Sequence, residues 1–199
     1  MNIAILASGN GSNFEAIAKA VKRGYIKASI KVLITDKRNA FVRERTKRNN
    51  IKDIFVDPKK FKSRTAFDKE IVRILKTEKI NLIVLAGFMR ILSTDFVKKF
   101  QNHIINIHPA LLPAFRGERA IERALKYGCK VTGVTVHFID EKVDNGPVIL
   151  QEAVKIKKGE TLKSLEERVH KLEHKLYPLA IKLFTEKRLK IKNRNVEII

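Results

Sequence analysis

The sequence has little of the material from which disulfides, membrane spans and aromatic stacking surfaces are built. One cysteine, Cys129, occurs in 199 residues, so no intramolecular disulfide can form, and low cysteine content fits a reducing compartment. No run of about 18 apolar residues is present, which excludes a transmembrane helix. Tryptophan is absent and aromatic residues make up only 7% of the chain. We therefore expect a cytoplasmic protein with no membrane partner.

Acidic residues are scarce relative to basic ones. Lys and Arg total 42 against 21 Asp and Glu, which gives a formal net charge of +21. Such an excess is found in proteins that bind nucleic acids and in enzymes that act on anionic substrates. The basic residues are spread along the chain, and aromatic residues do not alternate with them as stacking platforms would. We interpret the charge as a basic surface suited to small anions and predict no nucleic-acid partner.

Short apolar segments alternate with amphipathic ones through the first half of the chain. They predict strands at 2–7, 30–35, 54–56, 81–86 and 103–107, and helices at 13–23, 42–49, 65–78 and 93–100. This alternation is typical of a doubly wound, mostly parallel α/β sheet. The second half predicts helices at 118–127 and 161–184, strands at 131–139 and 148–156, and a last strand at 189–191. We expect the sheet to end antiparallel and residues 1–199 to form one domain.

A turn rich in Gly, Ser and Asn follows the first predicted strand, at residues 8–13. Glycine lets the backbone approach a ligand, and the start of the next helix offers free N–H groups and a positive dipole end. The spacing of Ser12 and Glu15 predicts a capping box that begins this helix at about Ser12. Phe14 stands where the dinucleotide fingerprint needs Gly, and no P-loop Lys follows. The turn predicts a phosphate site for a mononucleotide or sugar phosphate, with a purely structural turn as the alternative.

Asn106 and His108 end a predicted strand just before Pro109. Residues two apart share one face of a strand, and ligands of open α/β sheets bind at the carboxyl ends of strands. An amide and an imidazole that converge there suit a carbonyl oxygen that gains negative charge. Asp144 lies in an acidic turn at 140–147, where a carboxylate can pair with His108 and favour its charged form. A structural histidine and an ordinary exposed loop are the alternatives.

The segment from His170 to His174 matches the H-x-x-E-H pattern of some zinc proteases. The two histidines lie four residues apart and therefore on one face of the predicted helix. A catalytic zinc needs a third protein ligand, and none stands out among the basic residues that follow. We predict no metal here, and instead a role for Glu173 or His174 at a substrate site.

Six segments taken together resemble the phosphoribosylglycinamide formyltransferases, a folate-dependent family of purine synthesis. In chain order they are Gly9–Asn13, Leu85–Leu92, Asn106–Pro113, Gly133–Phe138, Asp144–Pro147 and Glu173–Pro178. The resemblance covers essentially the whole chain. It implies the formyltransferase fold, a Rossmann-like doubly wound sheet that is mostly parallel with an antiparallel C-terminal part. It also implies a cytoplasmic enzyme that uses 10-formyltetrahydrofolate as co-substrate and needs no metal.

The resemblance further implies a role for individual residues. The catalytic residues are Asn106, His108 and Asp144. The ribonucleotide-binding residues are Gly11, Ser12, Asn13, His170, Lys171, Leu172 and Glu173. The folate-binding residues are Arg64, Met89, Arg90, Ile91, Leu92, Asn106, Asp140, Glu141, Lys142, Val143 and Asp144. The implied substrates are small molecules, the implied assembly is a monomer or homodimer, and Leu112–Pro113 is expected to be a cis peptide.

The implied reaction begins when the glycinamide amine attacks the formyl carbon, and Asn106 and His108 then stabilise the oxyanion. Two relatives share this residue set and remain alternatives. Methionyl-tRNA formyltransferases carry an additional C-terminal domain. Formyltetrahydrofolate deformylases carry an additional N-terminal domain. We expect no room for either domain in 199 residues. A non-catalytic nucleic-acid-binding module is the third alternative. This alternative predicts an affinity for nucleic acid that falls steeply as the salt concentration rises. It leaves the set Asn106, His108 and Asp144 unexplained.

Overall fold

A computed structural model describes residues 1–199, which form nine strands and six α-helices. The strands are β1 (Asn2–Leu6), β2 (Ser29–Thr35), β3 (Asp53–Phe55), β4 (Leu82–Leu85), β5 (Ile104–His108), β6 (Val131–Phe138), β7 (Val148–Lys155), β8 (Leu189–Lys192) and β9 (Asn195–Ile198). The helices are α1 (Ser12–Lys22), α2 (Val42–Arg48), α3 (Arg64–Thr77), α4 (Thr94–Lys99), α5 (Ala120–Tyr127) and α6 (Leu162–Thr185). Every predicted strand and helix is present, with small shifts at its ends.

Two elements are not predicted from the sequence, β9 and a short 3₁₀ turn at Pro58–Lys60. β9 pairs antiparallel with β8 in a hairpin that forms its own two-stranded sheet. Its four residues are mostly exposed, so the alternation of polar and apolar side chains is too short to signal a strand. The 3₁₀ turn is held by the Asp57 side chain, which accepts from the backbone N–H of Lys59 at 3.0 Å.

Seven strands are hydrogen-bonded in one sheet in the order β3-β2-β1-β4-β5-β6-β7. β1 pairs in parallel with β2 and β4, and β2 pairs in parallel with β3. β6 and β7 pair antiparallel. The predicted fold class, a mostly parallel sheet with an antiparallel C-terminal part and helices on its faces, is confirmed. The parallel strands are joined through helices because a tight hairpin cannot connect parallel neighbours.

The chain divides into two compact units, Met1–Ile105 and Asn106–Ile199. In the first unit, β1 is almost entirely buried, and α1 packs on β2 and α2 and buries Phe14, Ile17 and Ala18. In the second, α6 packs on β6 and β7 through buried side chains, among them Leu165, Val169, Leu176, Tyr177 and Ile181. None of the helices is both long enough and apolar enough to cross a membrane. The expected single domain over residues 1–199 stays a prediction.

The capping box predicted for α1 is wrong. The residue before the helix is Gly11 with φ 78°, and no side chain accepts a hydrogen bond from the first turn. The Glu15 carboxylate instead lies 3.6 Å from Nζ of Lys19 and 3.6 Å from Nη1 of Arg45, and it accepts from the amide of Asn49 at 3.3 Å. In a strongly basic chain, cations on the same helix and on α2 draw the carboxylate away from the helix N-terminus.

The segment that connects β4 to α4 is held by a buried carboxylate. Oδ2 of Asp68 on α3 accepts from the backbone N–H of Ser93 at 2.6 Å, and Asp68 is 3% exposed. The hydroxyl of Ser93 in turn accepts from the backbone N–H of Phe96 and caps α4. Because water does not reach the Ser93 N–H, the carboxylate is the group that satisfies it.

Replacement of Asp68 by Ala should lower the free energy of unfolding by about 2 kcal/mol, because a buried N–H loses a charged acceptor. Denaturation with urea measures the change. Asp95→Ala is the matched control, since it removes an exposed carboxylate from the first turn of α4 and should cost only about 0.5 kcal/mol. Equally small effects of both substitutions would show that the Asp68 contact does not stabilise this segment.

Candidate active site

The carboxylate of Asp144 joins the predicted catalytic residues in the second unit. Its Oδ2 lies 3.2 Å from Nδ1 of His108 and accepts from the backbone N–H of Gly117 at 2.8 Å. Its Oδ1 accepts from Nδ2 of Asn106 at 3.4 Å. His108 and Asp144 are both buried, so their electrostatic interaction is screened less than that of a surface pair. The structure therefore brings His108 and Asn106 into contact with the carboxylate of Asp144.

Both ring nitrogens of His108 face oxygen atoms that only accept hydrogen bonds. Nδ1 faces the Asp144 carboxylate, and Nε2 lies 2.9 Å from the carbonyl oxygen of Phe115. Both contacts form as hydrogen bonds together only when each nitrogen carries a hydrogen. The Phe115 carbonyl belongs to the loop after β5. Its contact with His108 depends on the path of that loop, so no sequence motif signals it.

His137 on β6 joins the same cluster, although the sequence assigns it no role. Its Nδ1 donates to the carbonyl oxygen of Phe138 at 2.8 Å, which leaves Nε2 to accept from Nδ2 of Asn106 at 3.3 Å. Burial lowers the pKa of His137, so the ring stays neutral and keeps this tautomer. His137 thereby orients the Asn106 amide with its nitrogen toward Asp144. The available signal was a histidine within a strand that is otherwise rich in apolar and β-branched residues.

The backbone of the turn after β6 directs the Asp144 side chain. Asp144 has φ 47°, a left-handed conformation that is costly for a residue other than glycine. Two residues later, a Cβ on Gly146 would lie 1.9 Å from the carbonyl oxygen of Phe138. Only glycine fits at this position. The turn therefore folds back closely on the end of β6, and Asp144 reaches His108 from there.

The other predicted folate residues of this turn lie around the carboxylate of Asp140. It accepts from the backbone N–H of Lys142 at 3.0 Å and from the side-chain amide of Asn145 at 2.6 Å. Glu141, Lys142 and Val143 are exposed. The turn thus presents exposed side chains between two residues that are held in place, Asp140 and Asp144.

The loop after β5 is attached to β6 through Thr135. Its hydroxyl donates to the carbonyl oxygen of Ala110 at 2.6 Å and accepts from the backbone N–H of Leu112 at 3.1 Å. Leu112–Pro113 is a cis peptide, as the resemblance implies. These contacts hold the start of the loop whose later residues supply the Phe115 carbonyl and the Gly117 N–H.

In the first unit, the predicted phosphate-binding turn connects β1 to α1. Gly11 adopts φ 78°, and a Cβ there would lie 2.3 Å from Cγ2 of Val42 on α2. Ser12 and Asn13 are the first two residues of α1. The N-cap residue Gly11 supplies no side-chain cap to this helix. The assignment of Gly11, Ser12 and Asn13 to a phosphate site stays a prediction.

Arg45 on α2 holds this turn from outside. Its Nε donates to the carbonyl oxygen of Asn10 at 2.9 Å, and its Nη2 donates to the side-chain oxygen of Asn10 at 3.0 Å. The backbone N–H of Val42 also donates to the carbonyl oxygen of Gly9, at 3.1 Å. Sequence reasoning misses Arg45, because it lies more than thirty residues from the turn and in a generally basic helix.

The predicted folate segment Met89–Leu92 follows β4 and lies beside the phosphate turn. The backbone N–H of Ser8 donates to the carbonyl oxygen of Gly87 at 3.0 Å, and the hydroxyl of Ser8 accepts from the N–H of Met89 at 2.9 Å. Met89 and Ile91 are 64% and 61% exposed, whereas Leu92 is buried. The segment thus has two exposed apolar side chains and one buried one, and its role in folate binding stays a prediction.

The two arginines predicted at the folate site lie on different segments. The guanidinium of Arg90 lies 4.7 Å from the ring centroid of Phe67 on α3. Arg64 is the first residue of α3 and is exposed.

The ribonucleotide-binding residues predicted on α6 do not share one surface. Nδ1 of His170 lies 2.9 Å from the carboxylate of Glu173, which is 3% exposed. Lys171 is exposed and Leu172 is half-buried. Neither lies three or four residues from His170, so neither shares its face of the helix. The structure therefore pairs His170 with Glu173 and leaves Lys171 apart. No group of three or more His, Cys, Asp or Glu side chains is arranged to hold a metal ion.

Replacement of Gly11 by Ala should lower the free energy of unfolding by about 2 kcal/mol, because the new methyl group overlaps Val42 and the positive φ is strained. Thermal unfolding of the purified variant measures the loss. Gly9→Ala is the control in the same turn, since nothing lies within 4 Å of a Cβ there. A Gly11→Ala variant as stable as Gly9→Ala would contradict the packing of α2 against this turn.

The hydrogen bond with Glu173 raises the pKa of His170. The stabilisation from this pair is fully present below the unfolded-state pKa of about 6.5 and is lost as pH rises through the higher folded-state pKa. NMR titration should place the pKa of His170 above the usual histidine value, and Glu173→Gln should lower it. A pKa that does not change in this variant would show that Glu173 does not hold the charged ring.

Comparison with known proteins relates these features to one family. Residues 1–181 match the family described as formyl transferase. The chain is 45% identical over 179 residues to the phosphoribosylglycinamide formyltransferase of Bacillus subtilis (strain 168), an alignment that covers 90% of this chain and 92% of that protein. It is 43% identical over 181 residues, 91% of its length, to the human trifunctional purine biosynthetic protein adenosine-3, of which it spans 18%.

A solved structure agrees with this result. The crystal structure of glycinamide ribonucleotide transformylase 1 from Symbiobacterium toebii superposes with a TM-score of 0.98 at 42% identity, over 100% of this chain and 94% of that one. Both the sequence match and the fold therefore confirm the resemblance that the six segments indicate: this chain belongs to the formyl transferase family.

Proposed function

We propose that this protein transfers the formyl group of 10-formyltetrahydrofolate to the amine of phosphoribosylglycinamide, a step of purine biosynthesis. The similarity to phosphoribosylglycinamide formyltransferases over most of the chain supports the substrates. The observation that carries the chemistry is the buried Asp144 carboxylate, which contacts both the ring of His108 and the amide of Asn106. Such paired donors suit a reaction that develops negative charge on a carbonyl oxygen.

The proposed reaction is an acyl transfer without a covalent enzyme intermediate. The amine nitrogen of the ribonucleotide forms a bond to the formyl carbon, and the formyl oxygen becomes an oxyanion. The bond between that carbon and the folate nitrogen then breaks. A proton passes from the attacking amine to the departing folate nitrogen, so charge and atoms balance. The N–H groups of Asn106 and His108 donate to the oxyanion and so stabilise the intermediate.

In this reaction the oxyanion replaces the Phe115 carbonyl as the hydrogen-bond acceptor of His108. The structure directs the Nε2–H of His108 to the neutral carbonyl of Phe115 at 2.9 Å. An oxyanion is a stronger acceptor than a carbonyl. The Nε2–H of His108 therefore donates to the oxyanion once the tetrahedral intermediate forms. The Asp144 carboxylate on the other side of the ring contacts Nδ1 and holds the orientation of His108.

The proposed substrate contacts follow the predicted residues. The turn Gly11–Asn13 binds the phosphate of the ribonucleotide, and Glu173 with His170 contacts its polar groups. Arg64, the segment Met89–Leu92 and the turn Asp140–Asp144 bind the folate. The net charge of +21 attracts both a phosphate and the glutamate carboxylates of a folate. We further propose a cytoplasmic monomer or homodimer that uses no metal and binds no nucleic acid.

Replacement of His108 by Ala should lower kcat by about a hundredfold or more, because the intermediate loses a charged donor. The KM for the ribonucleotide should stay unchanged, since the proposed phosphate contacts lie elsewhere. Absorbance of the released folate measures turnover. His103→Ala removes an exposed histidine and serves as the control with normal activity. A His108→Ala variant that turns over at the wild-type rate would refute the proposed role.

The experiment that tests the function supplies a 10-formyl folate with and without phosphoribosylglycinamide and follows both folate release and formylated product. Release that requires the ribonucleotide and matches product formation supports the proposal. Release without the ribonucleotide would identify a deformylase instead. If folded protein releases no folate in either reaction, the proposal is wrong, and initiator methionyl-tRNA becomes the next acceptor to test.

A further inference from the structure

The C-terminal hairpin β8–β9 lies beyond the residues that match the family, which end at 181. Arg194 is located in the turn of this hairpin, and its Nη2 donates to the backbone carbonyl oxygen of Asn145. Its Nη1 lies 3.9 Å from Oδ2 of Asp140. One side chain of the hairpin therefore contacts both ends of the segment 140–145, the turn that carries the proposed folate contacts.

The two groups that Arg194 contacts are also the groups that close this turn. The Asp140 carboxylate accepts from the side chain of Asn145 and from the backbone N–H of Lys142. Arg194 adds a positive charge to that carboxylate and a donor to the main chain of Asn145. Arg194 is thus a further contact, besides those of Asp144 with His108 and Gly117, that joins the turn to another element of the fold.

The hairpin can support the turn because hydrogen bonds join its two ends, at Arg188 and Ile199. The side chain of Arg188 donates to the carbonyl oxygen of Ile199 at 2.6 Å, and the backbone N–H of Ile199 donates to the carbonyl oxygen of Arg188 at 3.0 Å. Four residue pairs align β8 with β9, and β9 also lies beside β7. The Arg194 side chain is 65% exposed, so its contribution comes from geometry and not from burial.

We propose that Arg194 is a positioning residue for the folate co-substrate, and that the hairpin sets the affinity of the turn 140–145 for it. This inference rests on the proposed function, which assigns the turn to folate. The exposed residues 141–143 lie between the two anchored ends, so loss of Arg194 disorders them first. Asp144 keeps its own contacts with His108 and Gly117. The expected effect is therefore on folate binding and not on turnover at saturation.

The test compares Arg194→Ala with Arg194→Lys and with Lys192→Ala, which removes an exposed positive charge from the same hairpin. In Arg194→Ala the KM for 10-formyltetrahydrofolate should rise about fivefold, the factor expected for loss of a partly exposed ion pair and its hydrogen bond. Its kcat and its KM for the ribonucleotide should not change. Arg194→Lys should lie between wild type and Ala, because an ammonium cannot contact both groups as a guanidinium does. Lys192→Ala should match wild type.

Hydrogen exchange without any ligand separates positioning from direct contact. Amides of residues 140–146 should exchange faster in Arg194→Ala than in Lys192→Ala. A raised folate KM with unchanged exchange would mean that Arg194 touches the folate itself, which overturns the proposal. Identical behaviour of Arg194→Ala and Lys192→Ala in both experiments would also overturn it. An inactive wild-type protein would refute the proposed function instead, and hydrogen exchange would still decide whether the hairpin holds the turn.

Discussion

The buried carboxylate of Asp144 is the constraint on which the rest of the site depends. A charge removed from water is tolerated only when it is paired and hydrogen-bonded. Asp144 meets this requirement with His108, Asn106 and the backbone N–H of Gly117. Each partner comes from β5 or from the loop that follows it, whereas Asp144 comes from the turn after β6. Satisfying one carboxylate therefore fixes the strand end, the loop and the turn relative to one another within the second unit.

The high positive charge of the chain has local uses beyond attraction of anions. Arg45 holds the turn after β1 by bonding to Asn10, and Arg194 contacts both ends of the turn after β6. In both cases a guanidinium from another element donates to a backbone carbonyl, an interaction that local sequence cannot supply. The two turns proposed to bind substrates are therefore both held by arginines that are remote in sequence.

The sequence predicted the strands and helices well because their apolar periodicity reflects burial, and it predicted the grouping of Asn106, His108 and Asp144. It did not predict what depends on tertiary contacts. The capping box at Ser12 failed because Arg45 and Lys19 attract Glu15. The tautomer of His137 and the Phe115 carbonyl depend on backbone paths that no motif encodes. The resemblance groups Lys171 with Glu173, and the helix places these two side chains on different faces; their roles stay predictions.

The most direct test of this account is turnover by the Asp144→Asn variant under saturating folate and ribonucleotide. Asn keeps the size of the side chain and an oxygen that can accept from Gly117, but it carries no charge to hold His108 in its protonated form. The account predicts a folded protein whose kcat falls by about a hundredfold or more, with unchanged ribonucleotide affinity measured by calorimetry. A folded variant with near-normal kcat would show that the carboxylate is structural and that the reaction does not depend on it.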